Sequence, residues 1–554
     1  MRNIDQSTKA QRDLDRKSMR QKNQRSHHAF HRLLALFLTM LLTFSALFFP
    51  SSRAEAKEEK KKTDSKKTIT LRVCNWEEYM DEGDWDESEA IDLPSGKIIG
   101  KNSMIRDFED WYEKNYGVKV KVEYSTFGTN EDLYNMLTLG DSYDLICPSE
   151  YMFMKLISEN KLVPLSKNFF DRENPLNYYT NGVSPYISKI FQSHKIQGKS
   201  WSSYAAGFMW GITGIVYNPN LVTEKEASTW SILLNPKFKN RVTIKDSVRE
   251  CYFAAVGALE HKKLLDPDFT GASDYKEKLE DVMNDTSPSM IKRVQDWLQT
   301  MKDNVYSFEV DAGKADMITG KVAANYQWSG DAVYTMDQAD EDDFRLDFAV
   351  PEESTNIYFD GWCMLKSGIG HDRDKQQAAE AFINFVSRPD NAIRNMYYIG
   401  YTSCISGGSD PRILEYLKWK YGPKAEEKPA DNSEMAEDLT KDSEDPLTSY
   451  DLSYFFTGDE TKEDPSYVLT VPKESVKRQL GAQYPSKEVI RRSSIMRYFN
   501  PKQSKDINKM WVNVRCYNIL HMPVWGWALL ILSLVAAAVL VVRKFHGAPH
   551  AGKQ

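Results

Sequence analysis

At 554 residues the chain has room for two or three domains, or for one large two-lobed unit with tails. Hydrophobic residues at 41%, aromatics at 12% and charged residues at 27% are those of a globular protein that buries a core, which excludes a disordered or fibrous chain. A net charge of −7 gives no basis for nucleic-acid binding.

Residues 1–32 carry nine Lys/Arg against three Asp and precede an apolar run from Leu33 to Phe49, then Ala54-Glu55-Ala56. A basic segment, an apolar segment and an A-x-A site are the features of a secretory signal over residues 1–56, cleaved after Ala56 or retained as an N-terminal anchor. Either way the chain that follows is exported. No Cys follows this segment, so a lipid-linked N-terminus is not expected. Residues 57–67 are almost wholly charged and are expected to act as a tether.

Thr68 to Cys74 alternates and is rich in β-branched residues, which predicts a first strand. Ile105 to Tyr116 places Ile105, Phe108, Trp111 and Tyr112 on one helical face, with Gly117 as its stop. Val118 to Tyr124 predicts a strand, Asn130 to Leu139 a helix, and Tyr143 to Cys147 a short apolar strand before Pro148. Strand–helix–strand–helix–strand at this spacing predicts an α/β unit with a largely parallel sheet. The pattern recurs: strands over Gly211–Tyr217, Val242–Ile244, Val322–Trp328 and Leu346–Val350, and helices over Ser289–Lys302 and Ala378–Val386. Two α/β units in series predict two lobes with a cleft between them.

Residues 426–464 hold fourteen Asp/Glu against three Lys and are expected to be a loosely packed acidic insertion. Met522 to Val542 contains no charge; as a helix it would be about 31 Å long, enough to cross a bilayer. Trp525 and Trp527 at one end and Arg543-Lys544 at the other predict a transmembrane helix with residues 57–521 outside the cell. The six cysteines (Cys74, Cys147, Cys251, Cys363, Cys404 and Cys516) have neither C-x-x-C nor metal-ligand spacing, and small buried thiols are the expectation.

Enzyme constellations are missing. There is no phosphate loop, no H-E-x-x-H and no G-x-S-x-G, and five of the nine histidines lie in the termini. No catalytic residue, cofactor or metal site is expected. What recurs is an aromatic or a carboxylate just after a predicted strand: Asn75-Trp76-Glu77-Glu78-Tyr79, Pro148-Ser149-Glu150-Tyr151, Asp246-Ser247-Val248-Arg249-Glu250, Trp328-Ser329-Gly330-Asp331 and Tyr358-Phe359-Asp360. Ligands of open α/β sheets bind outside the carboxyl ends of the strands. Aromatic faces and carboxylates together suit a flexible alkyl chain bearing ammonium groups, through cation–π contacts and charge-assisted hydrogen bonds.

The N-W-x-E-Y, Y-D-L-x-x-P-S-x-Y, D-S-x-R-E and I-G-Y segments resemble those of the spermidine/putrescine-binding subunits of ABC polyamine importers, over about Thr68 to Asn513. The resemblance implies an α/β, two-lobed type II periplasmic-binding-protein fold, with residues 68–211 and 357–410 in one lobe and 216–353 and 466–513 in the other. It implies Trp76, Glu78, Tyr79, Ser149 and Tyr151 as contacts from the first lobe, and Asp246 and Glu250 as the acidic pair of the second. Trp328 matches the family's stacking Trp, Asp331 an acid of the putrescine-preferring branch, and Asp360 an acid that holds an amine. Tyr358 stands where spermidine binders often have Trp, Tyr401 resembles a cleft-edge aromatic, and Met496 takes the place of a Gln found in some members. The implied function is capture of putrescine or spermidine by lobe closure and delivery to a membrane permease. A membrane-tethered polyamine sensor, or a receptor for another small cation, remains open from the residues alone.

Overall fold

The computed structural model describes residues 68–423 and 446–516, with a few positions between 527 and 535. The expected signal (1–56) and tether (57–67) lie outside the described residues. The predicted membrane segment 522–542 does too, except for scattered positions; among these Trp527, Leu529, Ile531, Leu532 and Val535 are helical and exposed. Among the described residues no helix is long and apolar enough to cross a membrane.

The first lobe opens with β1 (Thr68–Trp76), α1 (Met104–Tyr116), β2 (Lys119–Phe127), α2 (Asn130–Leu139), β3 (Leu145–Ile146) and α3 (Glu150–Ser158). Strands β1, β2 and β3 are parallel, as the strand–helix alternation requires. Helix α1 starts where the Ser103 side chain accepts from the Arg106 N–H, and ends at Gly117 with φ 70°, a left-handed stop. It buries Met104, Phe108 and Tyr112 fully; Ile105 and Trp111 are only partly buried, so its core face is rotated slightly from the predicted one.

The chain then enters β4 (Ala205–Tyr217), thirteen buried residues that lead into the second lobe. There follow β5 (Val242–Lys245), α4 (Val248–Leu259), α5 (Pro288–Lys302), β6 (Ser307–Glu309), α6 (Gly313–Ile318), β7 (Ala324–Trp328), α7 (Ser329–Glu341) and β8 (Asp347–Ala349). Return to the first lobe is through β9 (Thr355–Leu365), all of it buried, to α8 (Arg373–Val386) and α9 (Pro389–Ile399). The sheet runs β6-β5-β7-β4-β9-β3-β1-β2. The antiparallel neighbours β4 and β9 sit at its centre, so both passages between lobes are strands of one continuous sheet. The almost wholly apolar sequence of β4 fits a strand covered on both faces, whereas β9 carries Asn356 and Asp360 within its buried run.

Half of the expected acidic insertion is ordered and packed. Strand β10 (Leu447–Asp451) pairs antiparallel with β11 (Val468–Pro472), and a turn of helix, α10 (Ser453–Thr457), lies between them. Tyr450, Leu452, Tyr454 and Phe455 are buried, with Phe455 stacked on Trp210 at 5.8 Å. Four apolar side chains among the acids outweigh the composition of the segment. Residues 424–445 lie outside the described residues. The last described helix, α11 (Pro501–Arg515), packs on α5. Five cysteines are buried and Cys516 is exposed; all six are free thiols.

Candidate functional site

Four strand ends and one mid-strand segment build the cavity. Trp76 ends β1 and Trp328 ends β7, which brings their rings to 6.3 Å across the cleft in an edge-to-face arrangement. Ser149 caps α3, Ser247 caps α4 and Trp328 caps α7, so Glu150, Glu250 and Asp331 all stand in first helical turns. The positive end of each helix dipole favours a carboxylate there. The fifth contribution is a correction to the sequence pattern: Tyr358-Phe359-Asp360 does not follow a strand but lies inside β9. Asn356, Tyr358 and Asp360 alternate on one face and line the cavity, and an irregularity between Asp360 and Gly361 re-aims the strand there.

The cavity measures about 460 Å³. Of the residues expected in a site, Trp76, Glu78, Tyr79, Ser149, Tyr151, Glu250, Trp328, Asp331, Tyr358, Asp360 and Tyr401 line it. Asp246 does not. It faces a separate cavity of about 520 Å³ and accepts from the Arg515 guanidinium at 2.8 Å. Three residues separate it from Glu250, and both follow the end of β5 at Lys245; Asp246 stays in the turn, whereas Glu250 stands in the first turn of α4 and lines the other cavity. Met496 is buried and lines neither cavity.

At the centre, the Tyr79 hydroxyl donates to Asp360 Oδ2 at 2.6 Å and the Ser149 hydroxyl to Oδ1 at 2.7 Å. Asn130 holds Ser149 in place by donating to its Oγ at 3.1 Å. Burial pushes the Asp360 carboxyl up to about 6; the two hydroxyls oppose that shift and the nearby Glu250 adds to it. Burial pushes Glu150 up further, to about 8, although the Phe359 N–H donates to its Oε2 at 3.0 Å. Glu250 accepts from the Ser247 hydroxyl. Glu150 Oε1, Asn356 Oδ1 and the Trp76 indole N–H are buried in this wall without a hydrogen-bond partner. Of these, Asn356 Oδ1 is an acceptor that asks for a donor, whereas Glu150, pushed up to about 8, keeps its proton at neutral pH.

Aromatic rings enclose the acids. Tyr79 lies 4.7 Å from Tyr401, edge to face, and Trp76 lies 4.7 Å from Phe127. Tyr401 fits only because residue 330 is glycine: a Cβ there would stand 2.1 Å from the tyrosine ring. The mouth is more polar. Glu78, held at φ 52° where a non-glycine residue is strained, accepts from Lys314 of α6 at 2.9 Å, and Lys314 also pairs with Asp311 at 2.6 Å.

Sequence reasoning missed Glu150, Lys314, Asn356 and, behind the wall, Lys245. Glu150 lay inside a quoted motif, and Lys245 could have been suspected as a lysine ending an apolar strand; nothing local marks Lys314 or Asn356. Lys245 is fully buried. Its ammonium lies 3.1 Å from Asp331 Oδ2 and 4.4 Å from the centre of the Trp328 ring, while the Tyr401 hydroxyl donates to Asp331 Oδ1 at 2.9 Å. Burial would raise the Asp331 carboxyl, but Lys245 and Lys314 hold it below its usual value.

Comparison with known proteins agrees with this architecture. The family described as bacterial extracellular solute-binding protein matches residues 103–412. The spermidine/putrescine-binding periplasmic protein of Salmonella typhimurium is 26% identical over 334 residues, 60% of this chain and 76% of the relative. The protein of that description from Escherichia coli K12 has the same identity and coverage, 26%, 60% and 76%. A solved structure from Listeria monocytogenes, described as a spermidine/putrescine ABC transporter, shares the fold at TM-score 0.52 and 21% identity, covering 81% of this chain and 99% of its own. With more than half of its length matched by the family, the chain belongs to the bacterial extracellular solute-binding proteins.

Proposed function

We propose that the chain is the extracytoplasmic receptor of an ABC importer, capturing a polyamine, putrescine or spermidine, between its lobes and delivering it to a permease. The observation that carries this reading is the Asp360 carboxylate: buried among aromatic rings, hydrogen-bonded by Tyr79 and Ser149, and paired with no lysine or arginine among the described residues. A carboxylate desolvated in this way favours an arriving cation over an anion. The names of the curated relatives support the same ligand class.

In this reading one ammonium donates to Asp360, and Glu250 receives another. The methylenes between them lie against Trp76, Trp328 and Tyr401. Closing the lobes removes water from these contacts and strengthens each of them. No bond is made or broken, so no catalytic group, cofactor or metal is called on. The uncharged run 522–542 serves as a membrane anchor that keeps the receptor beside its permease on the outer side of the cell membrane; its exposed apolar positions support that role.

Calorimetric titration of the purified full chain with putrescine, spermidine, cadaverine and a neutral amino acid tests the ligand. Micromolar or tighter binding of a polyamine, with no heat from the amino acid, is the expected result. No heat from any polyamine, in protein that melts cooperatively, would discard the ligand class while leaving the family intact. Removal of residues 522–554 is expected to release the protein from membranes, and retention would refute the anchor.

A further inference from the structure

Four buried carboxyl groups line the cleft, those of Glu150, Glu250, Asp331 and Asp360. Of these, only Asp331 has an ammonium partner among the described residues. That partner is Lys245, the last residue of β5, which is paired in register with Glu309 on β6 and projects under the cleft wall. A lysine ammonium has three protons to place. Lys245 gives one to the Val310 carbonyl at 2.6 Å and one to Asp331 Oδ2 at 3.1 Å, and the Glu309 carboxylate stands 3.7 Å away. The Trp328 ring lies against the same charge. A carboxylate, a carbonyl and an aromatic face make a complete cage for one ammonium. Here the protein's own side chain occupies the cage. Both oxygens of Asp331 are engaged, one by Lys245 and the other by Tyr401.

We propose that Lys245 is a specificity-determining residue whose ammonium permanently fills one of the cleft's ammonium subsites, so that the site takes a diamine in preference to a triamine. The inference rests on the polyamine reading above and narrows it. A diamine meets Asp360 and Glu250, the two acids it can satisfy. A third ammonium on a longer ligand would be brought toward Asp331 and meet the Lys245 charge instead of a free carboxylate. Desolvated like charges at such range repel strongly.

The test compares putrescine and spermidine affinities by calorimetry on the full chain and on Lys245→Met, which keeps the length of the side chain and removes its charge. Wild type is expected to bind putrescine more tightly than spermidine. Lys245→Met is expected to move the ratio at least tenfold toward spermidine, and adding Asp331→Asn to that variant is expected to cancel the shift. An unchanged ratio in a Lys245→Met protein that melts cooperatively would overturn the proposal, as would a shift that survives Asp331→Asn. Tighter binding of spermidine by wild type would overturn it without recourse to any variant. Binding of neither amine by wild type would bring down the polyamine reading itself, an outcome distinct from binding whose ratio ignores Lys245.

Discussion

Asp360→Asn should move affinity and stability in opposite directions. In the ligand-free protein the carboxyl is pushed from 3.8 to about 6 by burial. A carboxyl whose folded value is raised adds stability at low pH and loses it as pH rises through that value. At pH 7.5 the ionised group therefore weighs against folding, by roughly 3 kcal/mol if each unit is worth ~1.4 kcal/mol. Asparagine removes the charge and keeps the shape. Its carbonyl can accept from one hydroxyl, and the other hydroxyl can rotate to accept from its amide. After allowing about 1 kcal/mol for poorer hydrogen bonds, the ligand-free variant should gain on the order of 1–2 kcal/mol. In a chain of this size that is a rise in Tm of about 1–2 °C. Binding should change the other way, with polyamine affinity lowered at least tenfold, about 1.4 kcal/mol. Because ligand stabilises in proportion to the logarithm of its excess over Kd, saturating polyamine should restore the lead of wild type. Scanning calorimetry with and without ligand, beside a titration, measures both effects. A ligand-free variant that melts below wild type, or one with undiminished affinity, would refute the reasoning.

Trp328→Ala should weaken polyamine binding at least tenfold if, as proposed, methylenes lie against this cavity-lining ring, which also covers the Lys245 charge; calorimetric titration reads it, and a change under threefold would remove the ring from the site. Asp246→Asn should leave affinity within threefold in the same titration, because the side chain faces Arg515 and the other cavity. Affinity should fall about tenfold per unit as pH drops below about 6, where a proton must leave Asp360 before an ammonium can take its place, and should level off above that value. Titrations between pH 5 and 8 check this, and an affinity that does not change between pH 5 and 7 would exclude Asp360 as the ammonium acceptor.

Local pattern was enough for the α/β alternation of the first lobe, because side-chain periods of two and 3.6 are properties of the segment alone. Trp76, Ser149, Trp328 and Asp331 were legible for a related reason: each stands at the end of a recognisable strand or in the turn that follows it, and such turns meet at one edge of an open sheet. Asp360 was legible as a residue but not as a position. It lies in the middle of β9, and it faces a cavity only because β4 and β9 pair at the centre of the sheet and carry the chain between lobes. No local period encodes which strands become neighbours.

The same limit separates Asp246 from Glu250. The two acids look equivalent in the sequence, and their opposite directions come from where β5 stops and α4 begins. Acidic composition also misjudged residues 447–457, whose few large apolar side chains found a hydrophobic surface elsewhere in the fold. Lys245 marks the boundary most sharply. The sequence by itself determined a lysine next to Asp246 at the end of a short β-branched strand. That its charge is spent on Asp331 and Trp328, eighty residues away and more, was decided only when β5 and β7 came together, since electrostatic pairing depends on distance in space and not along the chain.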